Sequence, residues 1–132
     1  MAVTKTMSNE ERHLEGKGEM DYDYANNILF FKISDRKYDR SIEFENMVID
    51  LDSEEYIVGI QIFDASDFLG VPKSYLKINN WQFKARITPT SIELRLMCQI
   101  NIRNKIKELN PIIVQQNTEG LPSSSAMVAI AR

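Results

Sequence analysis

The densest set of side chains that could do chemistry is the acidic run Asp50-Leu51-Asp52-Ser53-Glu54-Glu55. Alternate carboxylates at Asp50, Asp52 and Glu54 resemble the first half of a calcium-binding loop. Such a loop also needs a glycine at its sixth position and a bidentate glutamate at its twelfth. Counted from Asp50, those places hold Glu55 and Gln61. The run also joins two stretches of strand character instead of two helices, so a solvated acidic turn is the better reading. The chain has one histidine, His13, and one cysteine, Cys98. Neither a Ser-His-Asp arrangement, a Cys-His pair nor a zinc site can be assembled persuasively from them. No glycine-rich phosphate loop occurs. No catalytic residue, metal ligand or cofactor is therefore expected.

Four residues remain as ligand or interaction candidates: Asp50 and Asp52 in the acidic run, and Gly59 and Gln61 just beyond it. Gly59 interrupts an apolar stretch where β-branched residues would be favoured. A bulge or a close backbone approach would explain it, and so would a ligand lying against it. The cationic residues Lys84, Arg86, Arg95 and Arg103 share a polar face with Glu93. The neighbouring aromatics Trp81 and Phe83 fall on the opposite face, whereas nucleic-acid surfaces on sheets interleave aromatics with charge. A solvated face with cross-strand ion pairs is expected there.

These residues are positioned by strands. Met47, Ile49 and Leu51 alternate with Val48, Asp50 and Asp52, and Tyr56, Val58, Ile60 and Ile62 alternate with Ile57, Gly59, Gln61 and Phe63. Period-two alternation across a polar break predicts a β-hairpin. A four-residue loop, Asp52 to Glu55, would set Leu51 opposite Tyr56, Ile49 opposite Val58 and Met47 opposite Ile60, with Gly59 facing away from Val58 and Ile60. A second hairpin runs from Asn80 to Arg103. Its turn Thr88-Pro89-Thr90-Ser91 sets Ile87 opposite Ile92, Ala85 opposite Leu94, Phe83 opposite Leu96 and Arg86 opposite Glu93. Cys98 then lies on the dry face as a small buried hydrophobe.

Elsewhere, Met20 to Tyr24 and Tyr38 to Phe44 alternate, and Ile28 to Ile33 is apolar on both faces except Lys32, as in a central strand. Asp64 to Lys77, punctuated by Gly70 and Pro72, predicts a connector with one or two helical turns. Beyond Arg103 the pattern weakens. Pro111 ends what precedes it, Ile112 to Gln115 forms a short strand, and Ala126 to Ile130 a final edge strand. The expectation is one all-β domain over residues 19–132, mainly an antiparallel, sandwich-like meander of about eight strands, after a flexible tail at residues 1–18.

With 132 residues the chain suits a single domain that can bury a sizeable core. A net charge of −3 gives no reason to expect nucleic acid or an anionic membrane as partner. One cysteine permits no internal disulfide, the N-terminus lacks a signal peptide's apolar core, and no apolar run is long enough to span a membrane. A cytoplasmic protein is expected. The apolar excess of Ile28 to Ile33, with one short helix to cover it, predicts self-association as a two-fold homodimer.

The stretch from about Met20 to Ser66 resembles a small prokaryotic family of domains of unknown function, DUF2283. Tyr22-Asp23 matches the family's Tyr-Asp start, and Leu29-Phe30-Phe31 stands where Leu-Tyr-Ile is usual. Ile49-Asp50-Leu51-Asp52 matches the strand and Asp-rich turn, and Val58-Gly59-Ile60-Gln61-Ile62 matches the Val-Gly-Ile-Glu-Ile hallmark. Asn27 replaces a common acidic residue, Gln61 replaces the hallmark Glu, and a turn glycine is replaced at Glu54 or Glu55. The resemblance implies a compact β-rich fold with no established activity, and the toxin-like gene neighbours of some members imply an antitoxin-like partner role. Two functions follow as expectations: a non-enzymatic protein acting by self-assembly or protein binding, and a small-ligand binder or enzyme with a pocket near Gly59 and Gln61.

Overall fold

A computed structural model of the protein describes residues 12–77 and 80–130. The described strands are β1 (Arg12–Asp23), β2 (Ile28–Ile33), β3 (Tyr38–Phe44), β4 (Met47–Asp52), β5 (Ile57–Phe63), β6 (Trp81–Ile87), β7 (Ser91–Ile102), β8 (Lys105–Leu109), β9 (Ile112–Gln116) and β10 (Ser124–Ile130). The helix α1 (Ala65–Leu69) and a 3-10 turn at Lys73–Tyr75 lie between β5 and β6. The fold is all-β, as the alternation predicts. Ten strands replace the expected eight or so. They form one sheet in the order β3-β4-β5-β2-β1-β10-β6-β7-β8, with β9 also paired to β7.

The second hairpin has the predicted register throughout, including Ile87 with Ile92, Phe83 with Leu96 and Arg86 with Glu93. The first does not. Leu51 pairs with Ile57, Asp50 with Gly59, Ile49 with Ile60 and Met47 with Ile62. Val58 is the extra residue of a β-bulge, which leaves two residues on one strand opposite one on the other. The turn causes this. Asp52 Oδ1 accepts hydrogen bonds from the backbone N–H of Glu54 (2.9 Å) and Tyr56 (3.0 Å), and Glu55 takes a left-handed conformation at φ 65°. That tightens the loop by one residue, and the bulge restores the core face for Ile60 and Ile62.

Two further expectations are corrected. Arg12 to Gly18, assigned to the tail, form the first half of β1 and pair in parallel with Ser124 to Ile130. The rest of that tail, residues 1–11, lies outside the described residues. β10 is not an edge strand but sits between β1 and β6. Its small residues suit this central place: Ala126 faces Ala85 across the pair. The strand β8 was hidden by its alternation of Lys105 and Lys107 with Ile106 and Glu108, which is polar on one face and mixed on the other. β8 and β9 run along β7 in one continuous register, from Ile102 with Lys105 to Ser91 with Gln116. They are interrupted at Asn110-Pro111, where proline has no N–H to donate.

The sheet coils so that its apolar face turns inward. Phe31 on β2 stacks edge-on against Trp81 at 5.2 Å and lies 6.2 Å from Phe83, both on β6, although β1 and β10 separate these strands in the sheet. Coiling also brings β3 and β9, the two ends of the sheet, onto one cleft lined by Ile42, Glu43, Glu45, Gln115 and Gln116. The result is an incompletely closed barrel with a single apolar interior.

Cys98 is part of that interior, 8% exposed, and burial pushes its thiol up to about 12. The thiolate is the reactive form. Native protein should therefore alkylate far more slowly than the denatured chain near pH 9.0, the ordinary thiol value, with the native rate still climbing as the pH rises towards about 12. Equal rates in stopped-flow labelling would place Cys98 at the surface and break its pairing with Trp81 and Leu109.

Candidate functional site

Three of the four candidates share one patch of the outer face. Asp50 on β4 lies directly opposite Gly59 on β5, and Gln61 is the next residue of β5 on that face. Ser41 Oγ donates to Asp50 Oδ1 at 2.8 Å, and the Gln61 amide reaches both Asp50 oxygens at 3.5 Å. A Cβ on Gly59 would sit 2.9 Å from Asp50 Oδ2 and 3.1 Å from the Phe31 carbonyl oxygen. Close approach by a neighbouring strand is thus the reason for glycine here. The approaching groups are the Phe31 main chain and the Asp50 side chain.

Asp52 belongs elsewhere. It is 4% exposed at the end of β4. Beyond capping its own turn, its Oδ2 accepts from Arg36 Nε at 2.8 Å and contacts Arg36 Nη2 at 2.6 Å. Burial works against the Arg36 charge, but the hydrogen bond and charge of Asp52, with Glu54 adding, leave its pKa above the ordinary value. The ring of Tyr56 lies between two guanidinium groups, Arg12 at 4.5 Å and Arg36 at 5.3 Å. Arg12 also donates to the Glu54 carbonyl at 2.7 Å and to the Ser123 carbonyl at 3.2 Å. Asp52 is thus the centre of a polar plug that ties β1 to the β4–β5 turn.

The Tyr22-Asp23 pair is also structural. Tyr22 Oη donates to Asn27 Oδ1 at 2.7 Å, and Asn27 in turn donates to Ser66 Oγ and accepts from the Ser66 N–H. This joins the β1–β2 turn to the start of α1. Burial, then the nearby Tyr24 and Asp23, push the Tyr22 hydroxyl pKa up. Asp23 accepts from the side chain and backbone of Asn26, which hold its carboxyl below the usual range.

A different cleft, of about 250 Å³, lies on the outer face of β1, β10, β6, β7 and β9. His13, Lys84, Arg86, Glu93, Arg95, Ser125 and Met127 line it. Neither this cleft nor the one between β3 and β9 is lined by Gly59 or Gln61. Sequence reasoning found Lys84, Arg86 and Arg95 but grouped them with Arg103, which lies instead in the β7–β8 turn at φ 52°. It missed His13, which β1 brings in by pairing with Ser125. The signal was there in the alternation of Leu14, Met20 and Tyr22 with charged residues, but Gly16 and Gly18 break it.

The comparisons bear on this arrangement. Residues 19–66 match the model of the family described as a protein of unknown function, DUF2283. The matched segment holds the end of β1, β2 to β5 and the beginning of α1, and with them Tyr22, Asp23, Asp50, Asp52, Gly59 and Gln61. A Methanosarcina mazei protein named as a putative hypoxanthine phosphoribosyltransferase is 29% identical over 106 residues, covering 80% of this chain and 86% of its own. An uncharacterized protein of Methanocaldococcus jannaschii is 29% identical over 114 residues, covering 85% of this chain and 98% of its own. Both alignments are longer than the DUF2283 segment, so the likeness extends into the second half of the sheet. No solved structure matches the chain.

Placing the motif residues in the fold yields a direct test. Gly59→Val should destabilise by roughly 1–3 kcal/mol, because the Phe31 main chain cannot move aside cheaply. Gln61→Glu restores the hallmark residue but sets a second carboxylate beside Asp50, so it should cost about 1 kcal/mol, and less in an Asp50→Asn background. Equilibrium denaturation of the four variants measures both. A neutral Gly59→Val would remove the packing account of the hallmark glycine.

Proposed function

We propose that this protein is a non-enzymatic β-sheet module that associates through the open edge of β9 with a second copy of itself. The observation that supports this reading is the difference between its edges. β3 carries Asp39, Arg40 and Glu43, and β8 carries Lys105 and Lys107, charges of the kind that discourage strand addition. β9 reads Ile-Ile-Val-Gln-Gln, has no charge, and among the described residues pairs only with β7. Its Ile112 and Val114 are 54% and 60% exposed, and Ile106 on the same face of β8 is 69% exposed. Two β9 strands related by a two-fold axis can pair antiparallel and bury these side chains against each other.

The roles of the DUF2283 motif favour the same reading. Tyr22, Asp23, Asp52 and Gly59 are engaged in turns, an ion pair and close strand approach, which leaves none of them free for chemistry. A transferase of the kind named for the Methanosarcina relative would need a glycine-rich cradle for phosphates. Here Gly59 is closed under Asp50, Gly16 and Gly18 lie in β1, and a Cβ added at Gly70 or Gly120 would enter open space.

Light scattering after size exclusion is expected to give twice the chain mass at micromolar concentration. Val114→Lys should give the monomer mass. A monomeric wild-type protein, or a dimer that survives Val114→Lys together with Ile112→Lys, would overturn the proposal. A complex formed only with a different protein through β9 would retain the edge and replace the partner.

A further inference from the structure

We infer that the outer-face cleft over β1, β10, β6 and β7 binds a small organic anion, with a phosphate or carboxylate head on an apolar body. The register builds two adjacent cross-strand rows there. One runs His13, Ser125, Arg86, Glu93, and the other Glu15, Met127, Lys84, Arg95, Ile112. In the second row Lys84 stands directly opposite Arg95. Like charges directly opposite on paired strands are destabilising. No ion pair among the described residues relieves them: Glu15 is engaged by His13 at 2.9 Å, and Glu93, opposite Arg86, approaches no cation within 4.0 Å. Three cationic side chains therefore converge on a concave surface without an internal counter-charge for each.

An anion supplies what is missing, and a guanidinium fork suits phosphate and carboxylate oxygens alike. Met127 and Ile112 give the cleft apolar walls beside the cations. At about 250 Å³ it holds a compact ligand rather than a polymer. Nucleic acid is the less favoured occupant, because the neighbouring aromatics Trp81 and Phe83 are buried in the core and offer no base a stacking surface.

The test uses the whole chain, amide chemical shifts, and phenyl phosphate, benzoate, inorganic phosphate and benzyl alcohol as probes. Phenyl phosphate or benzoate should move the amides of Lys84, Arg86, Arg95, Ser125 and Met127, benzyl alcohol should not, and inorganic phosphate should bind more weakly. Arg95→Gln should weaken the aromatic anion at least about tenfold and at the same time raise the melting temperature of the free protein, since it removes the opposed charges. A merely structural arginine would lower both. Arg103→Gln should change neither. Absence of shifts with every anion, equal weakening in Arg103→Gln, or binding confined to a single-stranded oligonucleotide would each overturn the assignment. Because Arg95 stands opposite Ile112 on β9, the mass of Arg95→Gln is measured beside its binding, and Lys84→Gln, on a strand separated from β9 by β7, carries the same binding test, so the two proposals fail separately.

Discussion

The fold depends on one parallel contact. The strands β2 to β5 form one antiparallel group and β6 to β9 another, and among the described residues strand pairing joins them only where β1 lies along β10. A parallel pair needs a long crossover between its strands, and here nearly the whole chain supplies it, from Asp23 to Ser124. The interior closes around this seam. Ile33 packs over the β1 backbone at Gly16, where a Cβ would lie 2.9 Å from its Cδ1. At the end of the seam, Arg12 bonds to the main chain at Ser123 and Glu54 and covers Tyr56. One side chain thus fastens the junction of the two groups to the β4–β5 turn. Such long-range pairing closes late and at a cost in loop entropy, so the local hairpins must be stable enough to wait for it.

That requirement explains what the DUF2283 motif does. Asp52 organises its turn with two backbone bonds, then spends its second oxygen on Arg36. Tyr22 and Asn27 tie the first hairpin to the connector. Gly59 lets β4 and β2 close on β5 from both sides. These are local interactions, each formed within a hairpin or between neighbouring ones. They specify register in the half of the sheet where the bulge at Val58 would otherwise permit a slip of one residue, which would turn every apolar side chain outward.

How legible each part was follows from the range of the interactions that set it. The β6–β7 hairpin could be read completely, because uninterrupted alternation and one proline turn determine its register without help from elsewhere. The bulge could not be read, because it comes from a side chain capping a turn and from Glu55 accepting a left-handed backbone, which no residue preference announces. The first half of β1 looked like a tail since its inward positions include Gly16 and Gly18, whose burial against Ile33 and β10 depends on residues far away in the chain. For the same reason neither the pairing of His13 with Ser125 nor the left-handed turn that takes Arg103 away from Lys84, Arg86 and Arg95 is visible in local alternation. The patch of Asp50, Gly59 and Gln61 was visible as a group, and its separation from Asp52 was not: the two aspartates differ by two positions, but Asp52 sits where the strand ends and its side chain turns in to cap the loop.

The surface of the sheet then divides by what it tolerates. Along β3 and β8 charge guards the backbone edge, and across β4 and β5 the outer polar groups satisfy one another. Two regions break the pattern in opposite ways. At β9 the guarding charge is missing, and at Lys84 and Arg95 like charges are placed together. Both omissions cost the isolated chain something, exposed apolar area in one case and repulsion in the other, and a strand edge and a cationic cleft are each relieved by a different kind of company. A fold whose interior is so fully assigned to local capping and strand closure leaves these two outer features as the places on which the proposed self-association and anion binding rest.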